Sequence, residues 1–584
     1  MQRSKKAPSL DSVRHSLAHL LAASVLKKYP KAKLGIGPTI ENGFYYDFQK
    51  SEGFTPEDLK DFEREMRKLI SMRLPFSGKK VTPAEAKKTF KNQLFKLDLI
   101  KELVREKKPL TIYRTGGVFM DLCKGGHVKN TSEINPEAFK LTKIAGAYWR
   151  GDEKKPQLQR IYGLAFASKK ELDEYLKMQE EAKKRDHKKL GVDLDLFTFS
   201  ELVGSGLPLF TPKGTIMRDI LDDFLWSLRE KRGYQRVDIP HIAKKELYQT
   251  SGHWDKFGNE LFRITSREGH EFALKPMNCP HHIQIFARKK WSFRELPQRY
   301  ASTTKIYRDE QTGELSGLVR VRSITQDDAH VFCNMAKTES ELKIIWEIVH
   351  EFYEAFNLPL KLRLSLSDPK QPKKYLGDQK LWKDAEAILR RVAKERGGKY
   401  FEAKGEAAFY GPKLDFMATD SLGREWQVAT IQLDLNMPKR FNLTFTNDKG
   451  TQSPVFMIHA AIMGSIERFL SVLIEHYAGA FPLWLAPVQV AIIPVSEKFE
   501  KYGEHVANEL RANELRVEVS DSNETLGKRI REGELQKIPY LVVVGDREMK
   551  SKTITVRKRG SKDLKEFKLE KFLENLKEEI KSRS

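Results

Sequence analysis

The chain has 584 residues, more than one hydrophobic core usually serves, so several domains of about 100 to 250 residues are expected. With 40% hydrophobic and 32% charged residues it has neither a disordered nor a membrane composition, and its longest apolar runs, VQVAIIPV and IPYLVVVG, are strand-length. Lys and Arg outnumber Asp and Glu by 104 to 80, a formal net charge of +24; such a field attracts polyanions, nucleic acid among them, although lysines spaced along solvated helix faces produce the same excess.

The opening, MQRSKKAPSLDS, is basic but leads into no uninterrupted apolar segment and no small-residue cleavage pattern, so a cytoplasmic chain without a membrane span is expected. Over residues 1–168, short strand patterns (KAKLGIGP, GFYYDF, QLQRIYGLAF) mix with helices and predict a first α+β domain. Residues 169–191 are highly charged and free of Pro and Gly before Gly191, which predicts a connecting helix. Turn-rich segments, β-branched runs and two long helical patterns over 192–483 lack the rhythm of a Rossmann domain and predict an antiparallel-sheet α+β domain. Residues 484–584 alternate strand (VQVAIIPV), helix (KYGEHVANELRAN), strand (RVEVSD), helix (LGKRIREGELQ) and strand (PYLVVVG), the pattern of a small α/β domain. The expected fold class is therefore α+β and multidomain.

Three cysteines, Cys123, Cys279 and Cys333, are too few for a disulfide scaffold. In the middle domain KPMNCPHH places Cys279 after an apparent strand, ITQDDAHVFC places His330 beside acidic residues, and FMIHAAIMGSIERF places His459 at a helix start. One thiolate and two imidazoles suit a zinc ion with an open fourth position; residues this far apart are also common in plain cores. In the first domain, HSLAH puts His15 and His19 on one face of a helix, and DLCKGGH adds Cys123 and His127. A second metal site and a buried structural cluster both fit that quartet.

Three motifs occur in order in the middle domain: the helix-then-strand pattern IMRDILDDFLWSLREKRGYQRVDIPHI, reaching Pro240; YRDEQTGELSGLVRVRSITQDDAH, with Arg308, Glu310, Arg320 and Arg322; and GSIERF, with Gly464 and Arg468. With the Cys/His set interleaved, this region resembles the catalytic domain of class II aminoacyl-tRNA synthetases, and within them the threonyl family. The resemblance implies an antiparallel-sheet catalytic domain that activates L-threonine with ATP and Mg2+, holds one Zn2+ per subunit on Cys279, His330 and His459, and transfers threonine to tRNA(Thr). Adenylate formation needs cations on phosphate and in-line positioning more than covalent catalysis, and arginine forks supply both. By the resemblance Arg308 holds the α-phosphate, Arg468 the γ-phosphate end, Glu310 the adenine and Arg320 further phosphate oxygens, with Gln427 also on the ATP side. Met277, Asp328, Tyr410 and Gln432 surround threonine; Gln326 and His253 stand near the terminal ribose of tRNA, where His253 assists proton removal.

Serine lacks one methyl group of threonine and keeps both zinc-binding groups, a difference worth only about 1 to 3 kcal/mol, so a second, hydrolytic sieve is expected. HSLAHLLAASV, IGPTIENGFYYDF, DLCKGGH and AGAYWRGD resemble the editing domain of bacterial threonyl-tRNA synthetases. That implies an N-terminal α+β domain in which His15, His19, Lys96, Asp121, Cys123 and His127 position water and the tRNA terminus without a required metal. The last domain resembles the α/β anticodon-binding domain of class II synthetases, with Asn523, Arg531, Glu548 and Arg557 at anticodon-reading positions. The resemblance starts at the editing domain, without the small N-terminal domain of many bacterial relatives, and implies a homodimer. Two positions depart from the pattern it implies: His281 follows Cys-Pro where glycine is expected, and Gly125-Gly126-His127 replaces Gly-Pro-His.

Overall fold

The computed structural model describes residues 8–152, 154–396 and 400–583; the basic first seven residues lie outside this range. The described chain forms two compact units, Met1–Glu180 and Glu181–Ser584.

In the first unit, helix Leu10–Lys28 is started by the Ser9 side chain, which accepts the Ser12 N–H. From Ser16 to Val25 every residue is buried, because small and aliphatic side chains let other elements close on all sides of it. It packs on the long antiparallel sheet in which Gly43–Gln49 pairs with Gln157–Ala165 and that strand with Phe139–Tyr148. A smaller antiparallel sheet, Phe76–Val81, Leu110–Thr115 and Phe119–Leu122, supplies the opposite wall. Helix Pro56–Ser71 is fixed at its start by a capping box between Thr55 and Asp58.

The second unit is built on an eight-stranded sheet. Its central strands, Gln298–Tyr307, Ser323–Cys333, Phe456–Ala461, Glu425–Asp434, Lys413–Thr419 and Leu360–Leu366, are antiparallel throughout; Gln235–Arg236 and Tyr400–Lys404 add parallel edges. Helices Pro212–Glu230, Met335–Glu354 and Ile466–His476 pack around a shared core in which the rings of Phe224, Phe352, Phe356, Phe469 and Trp484 meet, Phe224 stacked on Phe352. A second sheet follows, with Val517–Val519, Val490–Pro494 and Tyr540–Val544 parallel and Thr553–Lys558 and Leu564–Lys568 antiparallel. This matches the strand and helix alternation expected after residue 484. No helix among the described residues is long and apolar enough to cross a membrane.

Two expectations change. The connecting segment is two helices, Lys169–Lys184 and His187–Asp193, because the Asp186 side chain turns back to cap the second by accepting the Lys188 N–H. His459 stands in the strand Phe456–Ala461, not at a helix start; the apolar run FMIHAA is paired on both sides, and the helix begins only at Ile466.

Candidate functional site: two buried histidine clusters and an arginine-lined cavity

Side chains alternate along a strand, so Gln326, Asp328 and His330 share one face of Ser323–Cys333. Asp327 faces the other way, where it pairs with the buried Arg229 and accepts the Ile462 and Met463 N–H groups at 2.7 and 2.8 Å. His330 lies directly across from His459, and His459 across from Gln432. Cys279, the first residue of helix Cys279–Ala287, completes a fully buried set whose donor atoms all lie within 4.8 Å of one another.

The hydrogen bonds around this set show what it can hold. His459 Nε2 is 2.8 Å from Asp434 Oδ2, a carboxylate that can only accept, so His459 carries its proton there and turns a bare Nδ1 inward. His330 Nδ1 meets His282 Nδ1 at 2.8 Å, and His282 Nε2 meets Ser302 Oγ at 3.1 Å. With protons on His330 Nδ1 and His282 Nε2, the relay ends on the serine hydroxyl and leaves His330 Nε2 bare, 3.1 Å from His459 Nδ1. Two lone pairs at that separation repel unless a cation lies between them, and a tetrahedral ion with 2.0–2.1 Å bonds to nitrogen sets its ligands about 3.3 Å apart. Burial pushes the Cys279 thiol well above its ordinary range, so a thiolate there requires a cation. The donor set fits zinc. Asp434, His282 and Ser302 orient it, and the sequence carried no signal for them beyond polar residues on strands and a helix that also bear ligands.

Around the set, Tyr410 donates to Gln432 Oε1 at 2.5 Å, its ring 5.0 Å from that of His459. Asp328 Oδ1 is 3.6 Å from His330 Nε2, and burial pushes its carboxyl up to about 7. His253 is buried, with Nδ1 2.8 Å from Ser251 Oγ and Nε2 3.6 Å from Cys279 Sγ; burial holds it down near about 3. It stacks on Phe257. His281 is buried beside Tyr248 and does not join the Cys279 set.

Beside this set opens a cavity of about 600 Å³ lined by Arg308, Glu310, Arg320, Gln326, Gln427 and Arg468, among others. Arg308 rests one nitrogen on Met277 Sδ at 3.3 Å, and its Nε, like Gln326 Oε1, is buried without a partner among the described residues. Burial lowers the pKa of both Arg308 and Arg468, the signature of guanidinium groups held out of water. Arg320 pairs with Glu310 at 2.6 Å and with Glu314 at 3.1 Å, so it spans the loop instead of standing open. Gln427 is held by Arg363 at 2.7 Å and by Asp415 at 2.9 Å, a half-buried network that the motifs do not predict. Gly464 turns the chain at φ +70°, a left-handed conformation that a side chain rarely adopts, so that the Arg468 helix can start at the cavity wall.

In the first unit His15, His19, Cys123 and His127 also converge. Cys123 Sγ is 3.4 Å from His15 Nε2 and 3.3 Å from His127 Nε2, while Ser16 Oγ meets His127 Nδ1 at 3.3 Å. Phe76 stacks on His127 at 4.9 Å. Burial holds His127 down to about 2 and lowers His15 and His19, so all three rings are neutral near pH 7. Lys96 and Asp121 form a buried pair at 2.6 Å, and the Tyr46 hydroxyl, 3.0 Å from Lys96 Nζ, also donates to Asp121. Tyr46 lies in the strand Gly43–Gln49, where the pattern GFYYDF marks it only as a strand residue. By ligand type and spacing the quartet also satisfies a closed four-donor centre.

Burial pushes the Cys123 thiol up to about 11. Near pH 7.5 its alkylation by iodoacetamide is expected to run about 100-fold slower than that of an ordinary cysteine. The rate should climb about tenfold per pH unit to roughly pH 11, whereas an ordinary thiol levels off near pH 9. Fast modification at neutral pH would show a thiolate here.

Of the four positions assigned to the last domain, Asn523 lies in the loop before helix Leu526–Leu535, and Arg531 is exposed on that helix. Arg557 is tied to Glu534 at 2.6 Å beside a cavity of about 310 Å³ that Lys558 and Lys562 also line. Glu548 is different: it is 8% exposed, and its carboxylate accepts the Gly545 N–H at 3.0 Å and the Thr555 hydroxyl at 2.8 Å. The first of those bonds caps helix Asp546–Ser551 and the second ties the carboxylate to strand Thr553–Lys558.

Comparison with known proteins matches residues 262–477 to the tRNA synthetase class II core domain (G, H, P, S and T), residues 489–579 to the anticodon binding domain, and residues 110–162 to the threonyl and alanyl tRNA synthetase second additional domain. The chain is 48% identical to the threonine–tRNA ligase of Gloeobacter violaceus, covering 100% of this chain and 94% of that one. It is 46% identical to that of Thermotoga neapolitana, covering 98% and 88%. Among solved structures, the RNA binding domain of threonyl-tRNA synthetase from Cryptosporidium parvum is similar at 35% identity and a TM-score of 0.65, over 67% of this chain and 98% of that one. A threonyl-tRNA synthetase structure from Aeropyrum pernix is similar at 33% identity and a TM-score of 0.60, over 68% and 97%.

Proposed function

The chain belongs to the threonine–tRNA ligase family of class II synthetases and joins threonine to tRNA, and from that premise we propose that it does so through threonyl-adenylate, with residues 192–483 as the catalytic domain and Cys279, His330 and His459 as ligands of one zinc ion. The observation that supports this best is the convergence of two imidazole nitrogens on a buried thiol, with the bare Nδ1 of His459 set by Asp434 on its other nitrogen. Zinc held there by Cys279, His330 and His459 would supply a Lewis-acidic centre for the amine and hydroxyl of threonine, a pair that valine does not have. Asp328, Tyr410 and Gln432 enclose the amino acid, and Met277 lines the pocket beside Arg308.

In the adjoining cavity Arg308 and Arg468 hold opposite ends of the ATP triphosphate, with Mg2+ arriving on the nucleotide. Their desolvation makes each hydrogen bond to phosphate stronger than it would be in water. Glu310, Arg320 and Gln427 complete the ATP side. Gln326 presents an unpartnered oxygen toward the same cavity, suited to the terminal ribose of tRNA. His253, neutral and held by Ser251, sits against Cys279, where it can accept a proton during transfer.

Residues 1–168 form the editing domain, joined by residues 169–191. There His15, His19, Cys123 and His127 position water against the ester of seryl-tRNA without a metal, while Lys96 and Asp121 hold the floor of the site. Residues 484–584 bind the anticodon through Asn523, Arg531, Glu548 and Arg557. The chain works in the cytoplasm as a homodimer.

Amino-acid-dependent exchange between pyrophosphate and ATP, with bound zinc quantified on the same sample, tests the catalytic half. The expected result is strong exchange with threonine, weaker with serine, none with valine, proline or alanine, and one zinc per chain. Absence of exchange with every amino acid would turn the reading toward a non-catalytic RNA-binding protein.

A further inference from the structure

Outside both clusters, Asp186, His187 and Glu475 bring metal-type donors together, but their hydrogen bonds assign them different work. His187 is 3% exposed. Its Nδ1 lies 2.6 Å from Glu475 Oε1, and its Nε2 takes the Leu318 backbone N–H at 3.1 Å. A backbone N–H only donates, so Nε2 carries no proton and Nδ1–H faces the carboxylate. Both nitrogens are then used in one neutral tautomer, with no lone pair left for a cation. The other Glu475 oxygen is taken by Arg424 at 2.7 Å.

The contact joins the two arms of the ATP cavity. Leu318 is fully buried in the loop that carries Arg320, and Ser316 and Arg320 exchange backbone hydrogen bonds around it at 3.1 and 3.3 Å. The loop comes so close to the ring that a Cβ on Gly317, whose φ is +50°, would stand 2.3 Å from His187 Nε2. Glu475 lies on helix Ile466–His476, which also bears Arg468. From Glu475 the chain of contacts continues through Arg424 to Asp420 at 2.6 Å, then to the Trp426 indole N–H at 2.9 Å, whose ring lies 6.0 Å from the Arg468 guanidinium.

We propose that His187 is a positioning residue for ATP: a brace between the Arg320 loop and the Arg468 helix that fixes the separation at which the two arginines meet the triphosphate. The proposal rests on the assignment of those arginines to ATP. Nothing in the brace touches the Cys279 set, so threonine binding is independent of it.

The two halves of the contact can be separated in the full-length protein. Asparagine places an amide nitrogen where Nδ1 was and keeps the link to Glu475; glutamine places an amide oxygen where Nε2 was and keeps the link to Leu318. In pyrophosphate exchange, His187→Asn, which cuts the loop link, and His187→Gln, which cuts the helix link, are each expected to raise the KM for ATP about tenfold with the KM for threonine within about twofold. Either variant with the parent KM for ATP overturns the brace, as do equal rises in the KM values for ATP and threonine. Should the asparagine variant lose exchange altogether, the glutamine variant decides by the same comparison. Arg320→Ala separates the two levels. If it leaves the KM for ATP unchanged, the ATP assignment fails; if it raises that KM while His187→Asn does not, only the brace fails.

Discussion

Cys279→Ser is expected to lose bound zinc and threonine-dependent exchange together, exchange falling on the order of 10³-fold, while ATP binding stays within about threefold of the parent. A hydroxyl at this position is neither a thiolate nor basic enough to replace one, and the two remaining imidazoles make a poor site. The other outcomes that follow from a buried thiol in a packed core are different. If Cys279 only fills space, serine of nearly equal volume lowers Tm slightly and leaves zinc content and exchange alone, which would sink the proposed centre. ATP binding is the internal control, because Arg308 and Arg468 line a separate cavity and owe their positions to strand Gln298–Tyr307 and helix Ile466–His476. Zinc content also bears on the editing cluster: one ion per chain fits the reading given above, whereas two would place a metal on His15, His19, Cys123 and His127.

The second large effect is expected in the first unit. His19→Ala combined with Cys123→Ala should slow deacylation of seryl-tRNA by about 10² to 10³-fold, in the range that positioned acid–base groups contribute, and leave threonine charging at the parental rate. Seryl-tRNA then accumulates during charging with serine. Lys96 and Asp121 are unsuitable for the same test, since removing one member of a buried pair leaves a charge without a partner and costs about 3–5 kcal/mol in its own right. His19 and Cys123 carry no such pair. Unchanged release of serine from the double variant would move editing away from this cluster.

Several parts of this picture were legible one segment at a time. The spacing in HSLAH puts His15 and His19 on one helix face, and ITQDDAHVFC places His330 beside acidic residues. The strand and helix order after residue 484 came through because its continuous apolar runs are strand-length and β-branched, while the segment between them repeats apolar residues at helical spacing. The motif order identified the family because those residue types at those spacings serve phosphate and metal chemistry together.

The sequence by itself thus determined the local forms, the order of the domains and which side chains have the chemistry for a site. Only the tertiary structure decided which of them meet. Whether His459 opposes His330 depends on which strands are neighbours and in what register, a matter of pairings between residues 129 positions apart. The same long-range packing sent Asp327 to Arg229 and Asp328 to the pocket, and broke the linker at Asp186 so that His187 could reach Glu475. Periodicity reports the face of an element that is buried. It carries no record of what that face is buried against, because that is set by the free energy of the assembled core and not by any one segment.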